Sequence, residues 1–518
     1  ERSAAYIGLG IAQSVRKPVV IICTSGTAVT NYLPAIVEAH YQEIPLLVLT
    51  ADRPDEWIDQ QDGQAIRQRD VFGSFVKKHF HLPVSYQHPD AVWHVERVVN
   101  EAIIATQEMQ RGPVHLNIPI REPFYPDAPE QIVFGKPKII YTFSAQLQLD
   151  NDTLQDIQKA LIPYKKIAIL KGQDLPDSEL DTVLRKLKIP VFTDIISNAS
   201  QLPNTIKYHD AYLGMDFPEK SSLKPDLLIS FGKSILSKQL KLFLRNNPQL
   251  NHWHIQAYGG VADTFQSLER IIRINPLTFF NKLFNTFKQK ENISFFKNWL
   301  SVDKKTAKFN STFFSEAQFG EFEAVKLLLE TIPANSVLHL ANSMSVRYAN
   351  FMGLAKDVTV FSNRGTSGID GCLSTAVGHA LTDNRLHFVI TGDLAFFYDS
   401  NAFWNKYHLP NLRILLLNNK GGAIFRMISG PDKTAAFEDF FITSQQNTAK
   451  DIASLHQLKY VEIAERESFL KHIIDFTDPT AQKPCIIEIT EKQEHAKKMM
   501  INYKQHLNKM LQESSSGF

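Results

Sequence analysis

The chain has 518 residues, 44% hydrophobic and 21% charged, the balance of a folded globular protein too long for one core, so two to four domains are expected. Its 56 basic and 54 acidic residues leave a formal net charge of +2, which argues against nucleic acid or a membrane as the main partner. Cys23, Cys372 and Cys485 are far apart, form no CxxC pair or zinc-ligand spacing and suit a reducing cytoplasm, and no apolar run is long enough to span a bilayer.

The chain opens on Glu1-Arg2-Ser3, without Met or a signal peptide, partway into a helix predicted to reach Ser14; an N-terminally shortened chain is expected. Residues 18–23 read as a buried strand, and Thr24-Ser25-Gly26-Thr27 as a turn that can cap a helix running to about Tyr41. Residues 44–50 read as a second buried strand, ending at Ala51-Asp52-Arg53-Pro54, and 112–119 as the last strand of the region. The Pro-rich stretch 122–137 reads as a linker. A second region begins near Lys138, with strands at 166–170, 190–193 and 226–231, followed by a Lys- and Phe-rich helical stretch at 279–314 that reads as another connection. A third region begins near Gly320, with strands at 336–340, 358–361, 386–390, 412–417 and 485–489 and a charged helix at 492–511. Such alternation predicts an α/β protein of three doubly wound parallel-sheet domains, at 1–125, 138–285 and 315–518.

The strongest chemical signal is in the third region. The strand at 386–390 ends at Thr391-Gly392-Asp393, a helix is expected over about 398–407, and the strand at 412–417 ends at Asn418-Asn419-Lys420-Gly421-Gly422. Asp393 and Asn419 therefore sit at the carboxyl ends of successive parallel strands, where open α/β sheets bind ligands. A carboxylate from Asp393, an amide oxygen from Asn419 and a carbonyl from Gly421 suit Mg²⁺, which takes its other ligands from phosphate and water. Gly392 lets a diphosphate approach the backbone. Taken singly, each element also reads as a strand-end turn.

Gly392-Asp393, a helix and then Asn418-Asn419 resembles the cofactor motif of thiamine-diphosphate enzymes. The resemblance covers nearly the whole chain and is closest to the 2-succinyl-5-enolpyruvyl-6-hydroxy-3-cyclohexene-1-carboxylate synthases of menaquinone biosynthesis. It is carried by Glu1-Arg2-Ser3-Ala4, Cys23 to Ala28, Leu49 to Pro54, Gln64-Ala65-Ile66, Ser362 to Gly365 with Ser367 to Gly371, and Asn418 to Phe425. It implies a pyrimidine-binding, a central and a diphosphate-binding domain. It also implies that the enzyme decarboxylates 2-oxoglutarate on thiamine diphosphate and adds the succinyl carbanion to isochorismate by 1,4-addition. Asp393, Asn419 and the Gly421 carbonyl would hold Mg²⁺ or Mn²⁺.

By the same resemblance Glu1 bonds the aminopyrimidine ring and Gln64 lies near the reactive carbon. Ile369 is the wedge that bends the cofactor, Ser343 and Gly392 contact the diphosphate, and Ile424 and Phe425 line the cavity. Arg347, Arg364 and Lys238 pair with substrate carboxylates, the first two through planar guanidinium groups suited to bidentate contacts; Arg53 is a weaker candidate. The resemblance places Glu1 and the metal motif on different subunits, implying a homodimer or homotetramer with active sites at the interface. The chain departs from the family at Gly63, where Asn is frequent, and at Gln239, where a second cation is frequent.

Two other readings stay open: another thiamine enzyme such as an acetolactate synthase or simple decarboxylase, and a non-catalytic scaffold. The metal motif Gly392-Asp393-Leu394 differs from the Gly-Asp-Gly usual in the first. Gly8-Leu9-Gly10 is no dinucleotide fingerprint, since Gln13 takes the third glycine position, and Phe231-Gly232-Lys233-Ser234 lacks the earlier glycine of a phosphate loop. His40 and His408 read as surface or packing residues.

Overall fold

A computed structural model describes residues 1–122, 135–199, 201–315, 317–428 and 430–513, so most of the expected linker at 122–137 lies outside the described residues. Three sheets are present, and every ladder is parallel. The first contains β1 (Val19–Cys23), β2 (Leu46–Asp52), β3 (His79–His81) and β4 (Val114–Pro119), in the order β1-β2-β4-β3. The second contains β5 (Ile167–Lys171), β6 (Val191–Thr193), β7 (Thr205–Ile206), β8 (Leu227–Phe231), β9 (Asn251–Ile255) and β10 (Leu268–Ile272), in the order β10-β9-β8-β5-β6-β7. The third contains β11 (Ser336–Leu340), β12 (Val358–Phe361), β13 (His387–Gly392), β14 (Leu412–Asn418), β15 (Lys459–Ile463) and β16 (Cys485–Thr490), in the order β12-β11-β13-β14-β16-β15.

β5, β8, β11 and β14 are buried at every position, as continuous apolar runs covered on both faces must be. These are the strands that hydrophobicity alone predicts. The unpredicted β3, β7, β10 and β15 lie at sheet edges, and β9 lies next to an edge. β10 and β15, Leu-Glu-Arg-Ile-Ile and Lys-Tyr-Val-Glu-Ile, mix charge with apolar residues because part of each meets solvent, whereas β7 is buried and only two residues long.

Four local expectations are corrected. Gly26, with φ +83°, starts the helix after β1 without any side-chain cap. That helix breaks at Tyr32 into Thr27–Asn31 and Leu33–Gln42, because Pro34 has no N–H to continue the ladder. The helix expected at 398–407 instead runs over Asp393–Tyr398, followed by a 3₁₀ turn at Ser400–Phe403. The stretch at 279–314 is more than a connection. Phe279, Phe280 and Phe287 enter the core under the second sheet, and Phe295, Trp299 and Val302 enter a larger core.

The chain packs as two units. One comprises Glu1–Ala145, Asn363–Asn384 and Tyr398–Leu409; the other comprises Gln146–Ser362, Arg385–Phe397 and Pro410–Phe518. In the second unit the second and third sheets share one core, in which Phe192, Trp299, Leu338, Phe388 and Leu415 take part. The first unit closes around Tyr6, Leu9, Val29, Ile36 and Val48. Among the described residues no helix is long and apolar enough to cross a membrane.

In the first unit the helix Arg2–Val15 packs on Cys372–Ala380 with almost no space between backbones. A Cβ on Gly10 would collide with the Thr375 carbonyl, and one on Gly378 with the Ile7 carbonyl. Alanine gains about 1 kcal/mol of helix propensity over glycine, but here it must push two backbones apart. Gly378→Ala is therefore expected to lower the stability of this unit by about 1–3 kcal/mol, read as a lower denaturation midpoint; an unchanged midpoint would contradict the packing.

Next to this contact Asp399 is fully buried, accepting from the Ser374 amide at 2.7 Å and the Ser374 hydroxyl at 2.6 Å. Burial pushes its carboxyl up to about 6. An acid raised in this way stabilises the fold while protonated; its contribution is full below the unfolded value near 4 and is lost as pH rises through about 6. The stability of the wild type relative to Asp399→Asn should accordingly fall by roughly 2–3 kcal/mol between about pH 4 and pH 7, a change thermal melts of the two proteins can follow.

Candidate active site

The third sheet reverses its strand order at β11, which lies between β12 and β13, so the crevice beyond β11 and β13 is its topological switch point. Three chain segments meet along this edge: Asn342-Ser343 after β11, Asp393 after β13 and Asn419 after β14.

Asp393 is buried and opens the helix Asp393–Tyr398. One carboxylate oxygen accepts from the Leu394 amide at 2.8 Å and the other from Gln445 Nε2 at 2.7 Å. Burial raises its carboxyl above the usual range, while the bonds from Gln445, Leu394 and the Gly421 amide oppose the rise. The Gly421 amide thus reaches Asp393. Gly421 itself has φ +146°, and a Cβ there would stand 2.6 Å from the Ile442 carbonyl, so only glycine fits. Gln445 also donates to Asn418 Oδ1 at 3.0 Å, tying β13 to β14.

Asn419 is buried and donates its amide nitrogen to both oxygens of Glu321, at 3.0 and 3.2 Å. Its Oδ1 is buried and has no hydrogen-bond partner. An unpartnered buried amide oxygen costs about 1–3 kcal/mol, and a hard cation is the partner that suits it. A Cβ on Gly392 would meet nothing within 4 Å, which leaves room beside that backbone for a bulky anion. The donor set of one carboxylate, one amide oxygen and a glycine turn therefore fits a Mg²⁺–diphosphate group. Among the described residues no group of three or more His, Cys, Asp or Glu competes as a metal site.

Ser343 starts the helix Met344–Met352 with φ +69°, unusual for a residue other than glycine. Arg347 Nη1 donates to the Ser343 carbonyl at 2.6 Å, so these two predicted residues meet. Burial lowers the Arg347 pKa and Asp210 partly restores it. Asp210 also accepts from the Ser237 hydroxyl at 2.7 Å and the Gln239 amide at 3.2 Å, which brings the start of the helix Lys238–Arg245 to the same carboxylate. Lys238 is exposed. Ile424 and Phe425 lie in the 3₁₀ turn Ala423–Arg426; Ile424 packs against the core and Phe425 meets Phe441 edge-on.

The remaining candidates lie in the other unit. Glu1 precedes the helix Arg2–Val15 and lines an open cleft of about 700 Å³ with Tyr32, Trp404 and Tyr407. Its charge adds to burial in holding the Cys23 thiol up at about 11, which places Glu1 near the carboxyl end of β1. Gly26, three residues past that strand, backs onto Gln64; a Cβ on Gly26 would lie 3.2 Å from the Gln64 Cα. Glu1 and Gln64 are thus gathered at one strand end. Arg53 donates to the Gly63 carbonyl at 3.3–3.4 Å. Gln68, which the sequence did not flag, accepts from the Gly26 amide and donates to the Ala51 carbonyl, both at 2.8 Å, and so locks the Gln64 turn to the end of β2.

Arg364 and Ile369 share a loop held by the buried Glu38, which accepts from the Gly365 amide (2.8 Å), the Thr366 amide (2.7 Å) and the Thr366 hydroxyl (2.8 Å). Tyr6 donates to Asp370 at 2.6 Å and pins the other end of the loop. Ile369 is 40% exposed, so in this unit it is not a core isoleucine. Glu38, Gln68, Glu321 and Gln445 all escaped sequence reading. Each lies inside a helix or loop without a motif, and only contacts across the fold reveal them.

The chain is similar to known proteins. Residues 1–72 match the family model described as the thiamine pyrophosphate enzyme N-terminal binding domain, and residues 174–340 match the thiamine pyrophosphate middle domain; this defines the class. Three relatives are each named 2-succinyl-5-enolpyruvyl-6-hydroxy-3-cyclohexene-1-carboxylate synthase. The one from Cytophaga hutchinsonii is 45% identical over 89% of this chain and 82% of its own length. The one from Bacteroides thetaiotaomicron is 36% identical over 97% and 90%. The one from Desulfotalea psychrophila is 38% identical over 85% and 81%. The chain belongs to the 2-succinyl-5-enolpyruvyl-6-hydroxy-3-cyclohexene-1-carboxylate synthase family of thiamine-diphosphate enzymes.

Proposed function

We propose that this protein decarboxylates 2-oxoglutarate with thiamine diphosphate and Mg²⁺ (or Mn²⁺) and joins the resulting succinyl unit to isochorismate by 1,4-addition, a step of menaquinone biosynthesis in the cytoplasm. The observation that carries the reading is the buried, unpartnered Asn419 Oδ1 beside Asp393 and the Gly421 turn, on the carboxyl edge of the third sheet. Asp393, Asn419 and the Gly421 carbonyl hold the cation, and Gly392 and Ser343 receive the diphosphate. Residues 1–125, 138–285 and 315–518 then act as pyrimidine-binding, central and diphosphate-binding domains of a homodimer or homotetramer.

Thiamine diphosphate, when bound, supplies the electron sink for loss of carbon dioxide. The chain's own residues do the rest. Glu1 offers a carboxyl to the aminopyrimidine and keeps a proton at that ring. Gln64 is held by its backbone against Gly26 and presents its exposed amide to the reacting carbon. Arg347, already oriented by the Ser343 carbonyl, pairs with a substrate carboxylate at little further entropic cost. Arg364, on the loop clamped by Glu38, does the same for another carboxylate, and Lys238 contributes a mobile charge. Ile369 would support the bound cofactor, and Ile424 and Phe425 would keep the cavity apolar.

The test mixes the full chain with thiamine diphosphate, Mg²⁺ and 2-oxoglutarate and follows loss of isochorismate absorbance. Loss that requires every component is the expected result. Carbon dioxide release from pyruvate without isochorismate consumption would move the protein to a different thiamine branch; cofactor binding without turnover would make it a scaffold.

A further inference from the structure

An asparagine can hold a cation only with its oxygen toward it. The two arms of the amide have the same shape, so something must hold the nitrogen away. In this protein the Asn419 nitrogen lies between the two carboxylate oxygens of Glu321, at 3.0 and 3.2 Å, while Oδ1 is left buried without a partner. Glu321 can take this part because it is itself immobile. It opens the helix Glu321–Thr331, it is 1% exposed, and its own amide donates to Glu491 at 2.8 Å. Glu491 is held in turn by an ion-pair contact with His495 at 2.5 Å. Both Glu321 oxygens face the Asn419 nitrogen and accept from it, so the pair seats the nitrogen arm on Glu321 and leaves the oxygen arm turned away.

We infer that Glu321 is a positioning residue that selects which arm of the Asn419 amide faces the cation. The inference rests on the metal reading given above and adds to it a residue that touches neither cation nor cofactor. Partners of this kind typically change metal affinity by about 10–100-fold when removed, and the effect passes entirely through the ligand they orient.

That last property supplies the test. Aspartate at 419 presents oxygen on both arms and needs no orientation. Mn²⁺ affinity is measured by electron paramagnetic resonance on the full chain with thiamine diphosphate present, in four proteins: wild type, Glu321→Met, Asn419→Asp and the double variant. Glu321→Met should weaken Mn²⁺ binding by about 10–100-fold when residue 419 is asparagine, and should not weaken it when it is aspartate, where removing Glu321 relieves the repulsion between two carboxylates. Equal losses in both backgrounds would make Glu321 a structural residue only and overturn the inference, as would no loss with asparagine. If Glu321→Met does not fold, Glu321→Asp, which withdraws the acceptor by one methylene, enters the same four-way comparison and is judged by the same two outcomes. A wild type that binds no Mn²⁺ would instead remove the metal reading itself, a separate failure.

Discussion

Asp393→Ala is expected to abolish Mg²⁺-dependent binding of thiamine diphosphate, and turnover with it. Asp393 is the one carboxylate in a donor set otherwise made of an amide oxygen and a backbone carbonyl, so it brings the only full negative charge. Its ionised form is costly in a buried site, and the three hydrogen bonds from Gln445, Leu394 and Gly421 hold it ready without neutralising it. A dication supplies the missing counter-charge. Removing the carboxylate leaves Asn419 and Gly421 to bind a strongly hydrated ion by neutral dipoles alone, and Mg²⁺ gives up its water reluctantly. The loss of metal affinity should exceed the 10–100-fold, roughly, that removing a supporting partner costs. Titration of cofactor binding against Mg²⁺, followed by intrinsic tryptophan fluorescence, reads the effect directly. Wild-type affinity in Asp393→Ala would place the cation elsewhere. Asp393→Ala leaves the donors Gln445, Leu394 and Gly421 without their acceptor, so a thermal melt of the apo variant is taken alongside the titration. Failure to bind is then separable from failure to fold.

Glu1→Gln should have the opposite signature, with cofactor binding kept and chemistry lost. Glutamine preserves size and a hydrogen-bonding end but cannot carry the carboxyl's proton or charge. General acid–base groups contribute about 10²–10⁴-fold, and a loss of turnover in that range is expected, with thiamine diphosphate affinity changed by no more than a few-fold. Exchange of the thiazolium C2 proton, followed by nuclear magnetic resonance on the quenched complex, reports the step in which Glu1 is engaged. A variant that turns over normally would remove Glu1 from the mechanism. The position near the carboxyl end of β1, where the charge of Glu1 reaches Cys23 and Tyr32, gives the proposal its structural basis.

The two variants divide the proposed mechanism between the two packing units. Asp393 belongs to the unit built on the second and third sheets, and Glu1 to the unit built on the first. If Asp393→Ala loses cofactor and Glu1→Gln keeps it, binding and proton handling are assigned to different parts of the chain.

Much of this was legible in the linear chain, for definable reasons. Buried parallel strands are continuous apolar runs, so β2, β5, β8, β11, β13 and β14 stand out within one or two residues of their observed bounds; β1 has the expected bounds but not the expected burial, because it is an edge strand with Val20 49% and Ile22 68% exposed. The α/β class follows from their alternation with helices. The metal rim was legible because Gly392-Asp393 and Asn418-Asn419 close successive strands, and strand ends are where parallel sheets bind ligands. Arg347 and Ser343 each stand out in the sequence, yet nothing in their positions signals that the guanidinium of one is fastened to the carbonyl of the other.

The residues that support those ligands, and the edges of the sheets, emerge only from contacts across the fold. Edge strands such as β10 and β15 mix charged and apolar residues, and no period of two survives to mark them. Glu321 is 98 positions from Asn419, Gln445 is 52 from Asp393, and Glu38 is 327 from Gly365. No local pattern can encode a hydrogen bond over such a separation. The chemistry at the strand ends is written locally, because a strand end is a local event; the orientation of each ligand depends on partners that meet only once three parallel sheets have closed their cores.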